Sequence, residues 1–210
     1  MNDEQTVLDF FSAAENLPLA LIAAEHLDKL RNQHNNHFWL ALKTEVDRLL
    51  SKSELPWHCE LTEDRNADDT LVGIHLEPSA PQQTFLRPFM EQQLMGSDYR
   101  IYYGLMWNST PAPALKNLPS VLSLQMTLET EGFKQNDSFL AWQWSPWHPR
   151  RRDFLVRLSK SPDALMFEAM QPWLLLLEKR GELLAEANSA LNQTPATAVI
   201  SLAGLRSHIK

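Results

Sequence analysis

A chain of 210 residues with 44% apolar and 21% charged side chains is long enough for one well-buried core and too apolar for bulk disorder. Its net charge of -7 opposes sequence-independent binding to a polyanion unless basic groups gather on one face. The single Cys59 lacks the second thiol that a disulfide or a thiolate zinc site requires, which fits a reducing compartment. The acidic start Asn2-Asp3-Glu4 has no leader character, and the longest dense apolar run, Trp173 to Leu177, is far too short to span a bilayer. The expected location is cytoplasmic, with no membrane partner.

In chain order, Val7, Leu8, Phe10, Phe11 and Ala14 make a short helical face, and Asn16-Leu-Pro-Leu reads as a helix restart with Asn16 as its cap. Leu19, Ile22, His26 or Leu27, and Leu30 continue at helical spacing until Asn32 to Asn36 interrupts the pattern. A further helix follows on Phe38, Trp39, Leu42, Val46, Leu49 and Leu50, whose three- and four-residue steps lay down one apolar stripe. Pro56 ends the helical region. Trp57, Cys59 and Leu61 then alternate with polar residues, as do Val72, Ile74 and Leu76, and the acidic stretch Glu63 to Thr70 reads as the turn of a hairpin between them.

The spacing predicts a short helix over Thr84 to Met95, stopped by Gly96, and a strand over Arg100 to Trp107. In that strand Ile101, Tyr103, Leu105 and Trp107 take one face and Tyr102, Gly104 and Met106 the other. Ser109 to Pro113 is a loop. Pro119 to Gly132 fits both periods; Gly132 followed by Phe133 resembles a glycine helix stop, so the helical reading is preferred. Phe139 to Trp144 reads as a strand ended by Pro146 and Pro149. Ser161-Pro-Asp opens a long helical segment through Leu191, which Pro172 is expected to kink or split. The sum is an α+β fold: N-terminal helices, a mainly antiparallel sheet of about four strands, and a long C-terminal helical segment. Residues 1–194 are read as a single domain and 195–210 as a tail.

Familiar chemistry is missing from this sequence. Six scattered glycines form no phosphate cradle and no nucleophile elbow. His34 and His37 could share a helical face, but no acidic ligand frames them. His58 and Cys59 point to opposite sides of a strand, and Glu63, Asp64, Asp68 and Asp69 lack the spacing of a calcium loop. No catalytic residue, metal site or cofactor is expected.

The densest feature is Phe139 to Phe154, where Trp142, Trp144 and Trp147 run into Arg150, Arg151 and Arg152. These residue types have three readings: tryptophans filling a core, an interface hot spot, or a platform that stacks bases while arginines meet phosphates. Core packing carries the most weight and nucleic acid the least.

Several landmarks occur in order: Asn-Asn-His-Phe-Trp-Leu-Ala-Leu from Asn35, Tyr-Arg-Ile-Tyr-Tyr-Gly-Leu-Met-Trp from Tyr99, Glu-Gly-Phe from Glu131, Trp-Gln-Trp from Trp142, and Arg-Asp-Phe from Arg152. Together they resemble the C-terminal accessory region of bacterial proteins with an N-terminal PD-(D/E)XK nuclease domain. The resemblance covers about residues 34–190. The nuclease motif sets an acid two residues before a lysine, and no lysine here has one: Leu27, Ala41, Leu50, Ala114, Gly132, Leu158, Leu177 and His208 stand there instead. The resemblance therefore implies an accessory or recognition module and no nuclease residues. The expected function is a non-catalytic interaction module that binds a protein partner or its own copy, through Tyr102, Trp107, Trp142, Trp144, Trp147, Arg150, Arg151 and Arg152. The alternative is nucleic-acid recognition beside a nuclease or defence system. It requires Arg87, Arg100, Arg150, Arg151, Arg152 and Arg157 to converge on one face.

Overall fold

The computed structural model describes residues 3–53, 55–63, 72–96 and 98–193. Its elements are α1 (Asp3–Ser12), α2 (Leu17–Ser53), β1 (Trp57–Leu61), β2 (Val72–Pro78), β3 (Leu86–Met95), β4 (Asp98–Trp107), α3 (Pro113–Lys116), α4 (Pro119–Thr130), β5 (Phe139–Trp144), α5 (Arg152–Lys160) and α6 (Pro162–Gln193). The five strands form one antiparallel meander in sequence order. This is the α+β class that the periodicities predict, with one strand more than expected.

The helices form a second layer that follows the strand order. The C-terminal half of α2 lies against β1 and β2, α6 against β3 and β4, and α4 against β5. The core sits between the layers. Phe38, Trp39, Leu42 and Val46 of α2 meet Ile74, Leu76, Met90, Ile101 and Leu105 from the sheet and Leu165, Trp173 and Leu184 from α6. Trp39 also donates Nε1–H to Gln92 Oε1 at 2.9 Å, so its one polar atom is satisfied in the core.

Three expectations are corrected. Thr84 to Met95 is strand β3, not a helix. Its apolar residues lie on both faces, with Leu86 and Met90 in the main core and Phe89 on the reverse, so a two-sided strand mimics three- and four-residue spacing. Gly96, with φ of +67°, then sits in the two-residue turn between the paired Met95 and Asp98. Next, Asn32 to Asn36 does not interrupt the first helix, because α2 runs unbroken through it. Asparagine costs only a few tenths of a kcal/mol per position in a helix, and here Asn35 is buried while Asn32 accepts a hydrogen bond from Arg150 Nη2. Finally, of the kink or split expected at Pro172, the split does not occur, because α6 continues from Pro162 to Gln193.

Other readings hold as made. α4 is helical and ends as its Gly-Phe pair suggests: Gly132, at φ +88°, donates N–H to Glu129 O and Phe133 to Leu128 O. The two faces of β4 divide as read, into Ile101, Tyr103, Leu105 and Trp107 against Tyr102 and Met106. β1 and β2 pair as a hairpin; its acidic turn, except Glu63, and the tail 195–210 lie outside the described residues.

Candidate interaction surfaces

The reverse face of the sheet carries a second aromatic cluster. Phe89, Tyr102, Met106 and Phe139 are buried in it, and Trp142 and Trp144 pack half-buried at its edge. Tyr102 is its hub, with ring centres 5.4 Å from Phe89, 5.8 Å from Phe139 and 5.3 Å from Trp144, all edge-on. Its hydroxyl donates to Glu91 Oε2 at 2.7 Å, which gives a buried carboxylate a partner. Gly104 makes the close approach possible. A Cβ there would stand 2.0 Å from Ala141 O, so only a glycine lets β5 dock beside β4 at this point. Arg100 lies 5.2 Å over the Trp144 ring and Lys134 5.4 Å over Trp142, which leaves a rim of two indoles with a cation on each.

The eight residues singled out in the sequence fall into three places. Tyr102, Trp142 and Trp144 share this reverse face. Trp107 is on the opposite face, buried in the main core. Trp147 and the arginines form a third group where residues 145–152 run along the start of β4. There Ile101 N–H donates to Trp147 O at 3.0 Å and Ser145 N–H to Ile101 O at 2.9 Å. Trp147 packs edge-on against Phe154 at 6.2 Å with Arg157 stacked over it at 5.1 Å. Arg150 lies over Tyr99 at 5.0 Å and reaches Asn32, and Arg151 pairs with Asp98, which also faces His148 Nδ1 at 3.0 Å. Arg152 opens α5 and is exposed. Arg87 is away from this group, buried against Glu77. Burial works to raise the Glu77 carboxyl, but hydrogen bonds and charge from His75 and Arg87 outweigh it and hold the acid below its ordinary value.

Most of the exposed large apolar side chains among the described residues lie on the N-terminal helices, whose spacing reads as ordinary helix. Residues 4–30, comprising α1 and the first part of α2, are exposed at every position but Ala13, Asn16 and Ala20. They form an arm that leaves the body where α2 meets Asn32 and Arg150, and α1 then turns through 114° from the line of α2. Asn16 holds that turn by donating Nδ2–H to Phe10 O at 3.0 Å, so its side chain serves the corner and does not cap the helix amides. Ten large apolar side chains are exposed on the arm: Val7, Leu8, Phe10, Phe11, Leu17, Leu19, Leu21, Ile22, Leu27 and Leu30, from 38% at Phe11 to 61% at Leu19. Single exposed leucines are normal, but an arm apolar around most of its circumference is the composition of a helix buried on all sides. The signal was present in the sequence. Leu17 and Leu21 continue the line of Asn35, Phe38 and Leu42, while Leu19, Ala23, Leu27 and Leu30 make a second stripe, and one helix face cannot hold both.

A cleft of about 430 Å³ opens beside β5, lined by Trp107, Lys116, Gln125, Asn136, Asp137 and Phe139 among others. Its ionisable lining groups, Lys116 and Asp137, pair with each other at 3.4 Å, so it offers no separate acid and base. Among the described residues no three His, Cys, Asp or Glu side chains are grouped to hold a metal ion, and no single helix is long and apolar enough to cross a membrane. No family model, curated protein or solved structure matches the chain.

Proposed function

We propose that this protein is a non-catalytic interaction module whose contact element is the N-terminal arm. The observation that carries the reading is the exposure of ten large apolar residues on one helical projection. At roughly half exposure each, they leave on the order of 900 Å² of apolar surface uncovered, well above the largest patch a monomer usually shows. The ten-residue α1 gains little stability from propensity alone and depends on packing, so the arm is a surface built to be covered by protein. The aromatic rim at Trp142 and Trp144 is secondary, because those indoles are half-buried in their own cluster.

Nucleic-acid recognition has weaker support. Five of its six required arginines are engaged by carboxylates or rings of the same chain: Arg87 with Glu77, Arg100 over Trp144, Arg150 over Tyr99, Arg151 with Asp98 and Arg157 with Glu168.

The test uses the intact chain and its Leu19→Glu, Leu27→Glu double variant as baits against host extract, together with their own self-association. Both positions are exposed, so the fold is kept. A stoichiometric partner, or a self-complex, held by the parent and lost by the variant supports the arm. Equal association by both would move the contact surface elsewhere.

A further inference from the structure

Resting on the reading of the arm as a contact element, we propose that its occupant is the arm of a second copy, packed antiparallel about Ala23. Three observations converge on that occupant.

The first is charge. The first 28 residues contain no lysine or arginine. Their carboxylates include Glu4, Asp9 and Glu15 in and around α1 and Glu25 and Asp28 nearer the root, where Lys29 and Arg31 stand, Arg31 pairing with Asp28 at 3.1 Å and Arg150 reaching Asn32. Only the root carries cations, so the acidic corner of one arm can lie against the Lys29, Arg31 and Arg150 end of another in reverse orientation. The same distribution opposes the two competing occupants, since an anionic lipid surface and a nucleic acid both ask for basic residues on the contacting helix.

The second is register. Glu15, Leu19, Ala23, Leu27 and Arg31 follow one another at four-residue steps along α2 and the residues just before it. Two such lines crossing antiparallel at Ala23 place Leu19 of one copy against Leu27 of the other, on both sides of the centre. Glu15 then stands opposite Arg31 at both ends, where it competes with Asp28, the partner Arg31 holds in its own chain. The central alanine lets the helices approach closely, and an arrangement in which each contact occurs twice is the isologous geometry of a two-fold dimer.

The third is area. A stable interface covers about 800 Å² on each partner, and the arm's exposed apolar side chains supply an area of that size. With α1 folded across α2 at 114°, the two arms together provide four helical segments, enough to bury stripes on more than one side of α2.

The experiment is sedimentation equilibrium of the intact chain from low to high micromolar concentration. The expected mass is twice the 24.1 kDa of one chain. Leu19→Glu with Leu27→Glu is expected to weaken the dimer at least 100-fold. Glu15→Lys alone is expected to weaken it several-fold, and adding Arg31→Glu to restore it, because the swap rebuilds both ion pairs with reversed sign. Ala23→Cys is expected to form a chain-to-chain disulfide on mild oxidation, while the native Cys59 is buried and does not.

A monomer at every concentration overturns the second copy as occupant. The interaction reading survives that result if the parent captures another protein that the leucine variant does not, and fails if it captures none. A dimer indifferent to the leucine changes, or one that Ala23→Cys fails to cross-link and the charge swap fails to rescue, overturns the antiparallel register. Flotation of monomer with neutral phosphatidylcholine vesicles, lost in the leucine variant, assigns the arm to lipid and overturns the proposal.

Discussion

Asn188 joins the C-terminal helix to the sheet through one residue, and its replacement measures what that joint contributes. The side chain is buried in α6; its Oδ1 accepts from Leu86 N–H at 2.7 Å and its Nδ2–H donates to Leu86 O at 2.9 Å. Leu86 needs this because β2 pairs with β3 only from Phe89 to Gln92. On that edge Pro88 has no N–H to offer, and Leu86, two residues earlier, would face the same side with both backbone groups unpaired. Asn188→Leu keeps the volume, excludes water and leaves a donor and an acceptor buried, at about 1–3 kcal/mol each. The expected loss is therefore about 2–6 kcal/mol. Asn188→Ala is expected to cost less, since the space released is large enough for a water that bonds both groups. Asn188→Asp keeps the acceptor but sets a second oxygen against Leu86 O. Its stability is expected to recover on acidification, when the protonated carboxyl can donate again. Urea unfolding followed by tryptophan fluorescence and by far-UV circular dichroism gives the midpoints and tests their coincidence. Exposed Glu186→Ala on the same helix is the control. Asn188→Leu within 0.5 kcal/mol of the parent would refute the account of the strand edge.

Two further expectations concern single atoms. Gly104→Ala drives a Cβ to 2.0 Å from Ala141 O and is expected to cost more than about 3 kcal/mol or prevent folding, whereas Gly181→Ala, inside α6 with nothing within 4 Å, is expected to stabilise by about 0.5–1 kcal/mol in the same urea assay. Equal midpoints for the two variants would contradict this. Burial, with Asp47 next, pushes the Cys59 thiol up to about 12 from 9.0, so alkylation at pH 8 is expected to run about 1,000-fold slower in the folded chain than in urea. The unfolded thiol loses its proton near pH 9 while the folded one keeps it, so the parent is expected to lose stability relative to Cys59→Ala as pH rises from about 9 to 12, by roughly 1.4 kcal/mol per unit. A constant difference across that window would show that the thiol is not held protonated by the fold.

Most elements were legible because their two faces differ. β4 buries one set of side chains towards the helices and another on the reverse of the sheet, and the C-terminal half of α2 turns one apolar face to the core and leaves the rest polar, so period alone assigned them. β3 was misread because neither of its faces is uniform: Phe89 interrupts the polar side of Arg87, Glu91 and Gln93, and Gln92 the apolar side of Leu86, Met90 and Leu94, so no clean alternation survives. The Asn-rich stretch of α2 was misread because helix propensity is a weak term, and the contacts that override it come from Arg150, more than a hundred residues away. The site shows the same limit. Sequence adjacency grouped Trp142, Trp144, Trp147 and Arg150 to Arg152, but a strand sends the first two to the reverse face, and the chain leaving β5 carries the rest along the start of β4. Trp107 was grouped with them by residue type alone, and its parity on β4 puts it in the main core.

That division changes what the aromatic and basic stretch is for. Trp142 and Trp144 close the reverse face of the sheet while Trp147 packs on Phe154, and Arg150 holds the base of the arm by reaching Asn32, with Arg151 paired to Asp98 at the start of β4. The continuity of α2 gives this its consequence. Because the helix does not break at Asn32 to Asn36, the direction of the exposed half is set by the buried half, where Phe38, Trp39 and Leu42 are locked into the core. An arm hinged at the asparagines would have to lose its orientational freedom on meeting a partner, and an arm continuous with the core has already lost it during folding. A 37-residue helix rooted in this way is pre-organised to present Leu19, Leu27 and Leu30 at a fixed angle to the sheet, which suits a contact element that must meet its partner in one register.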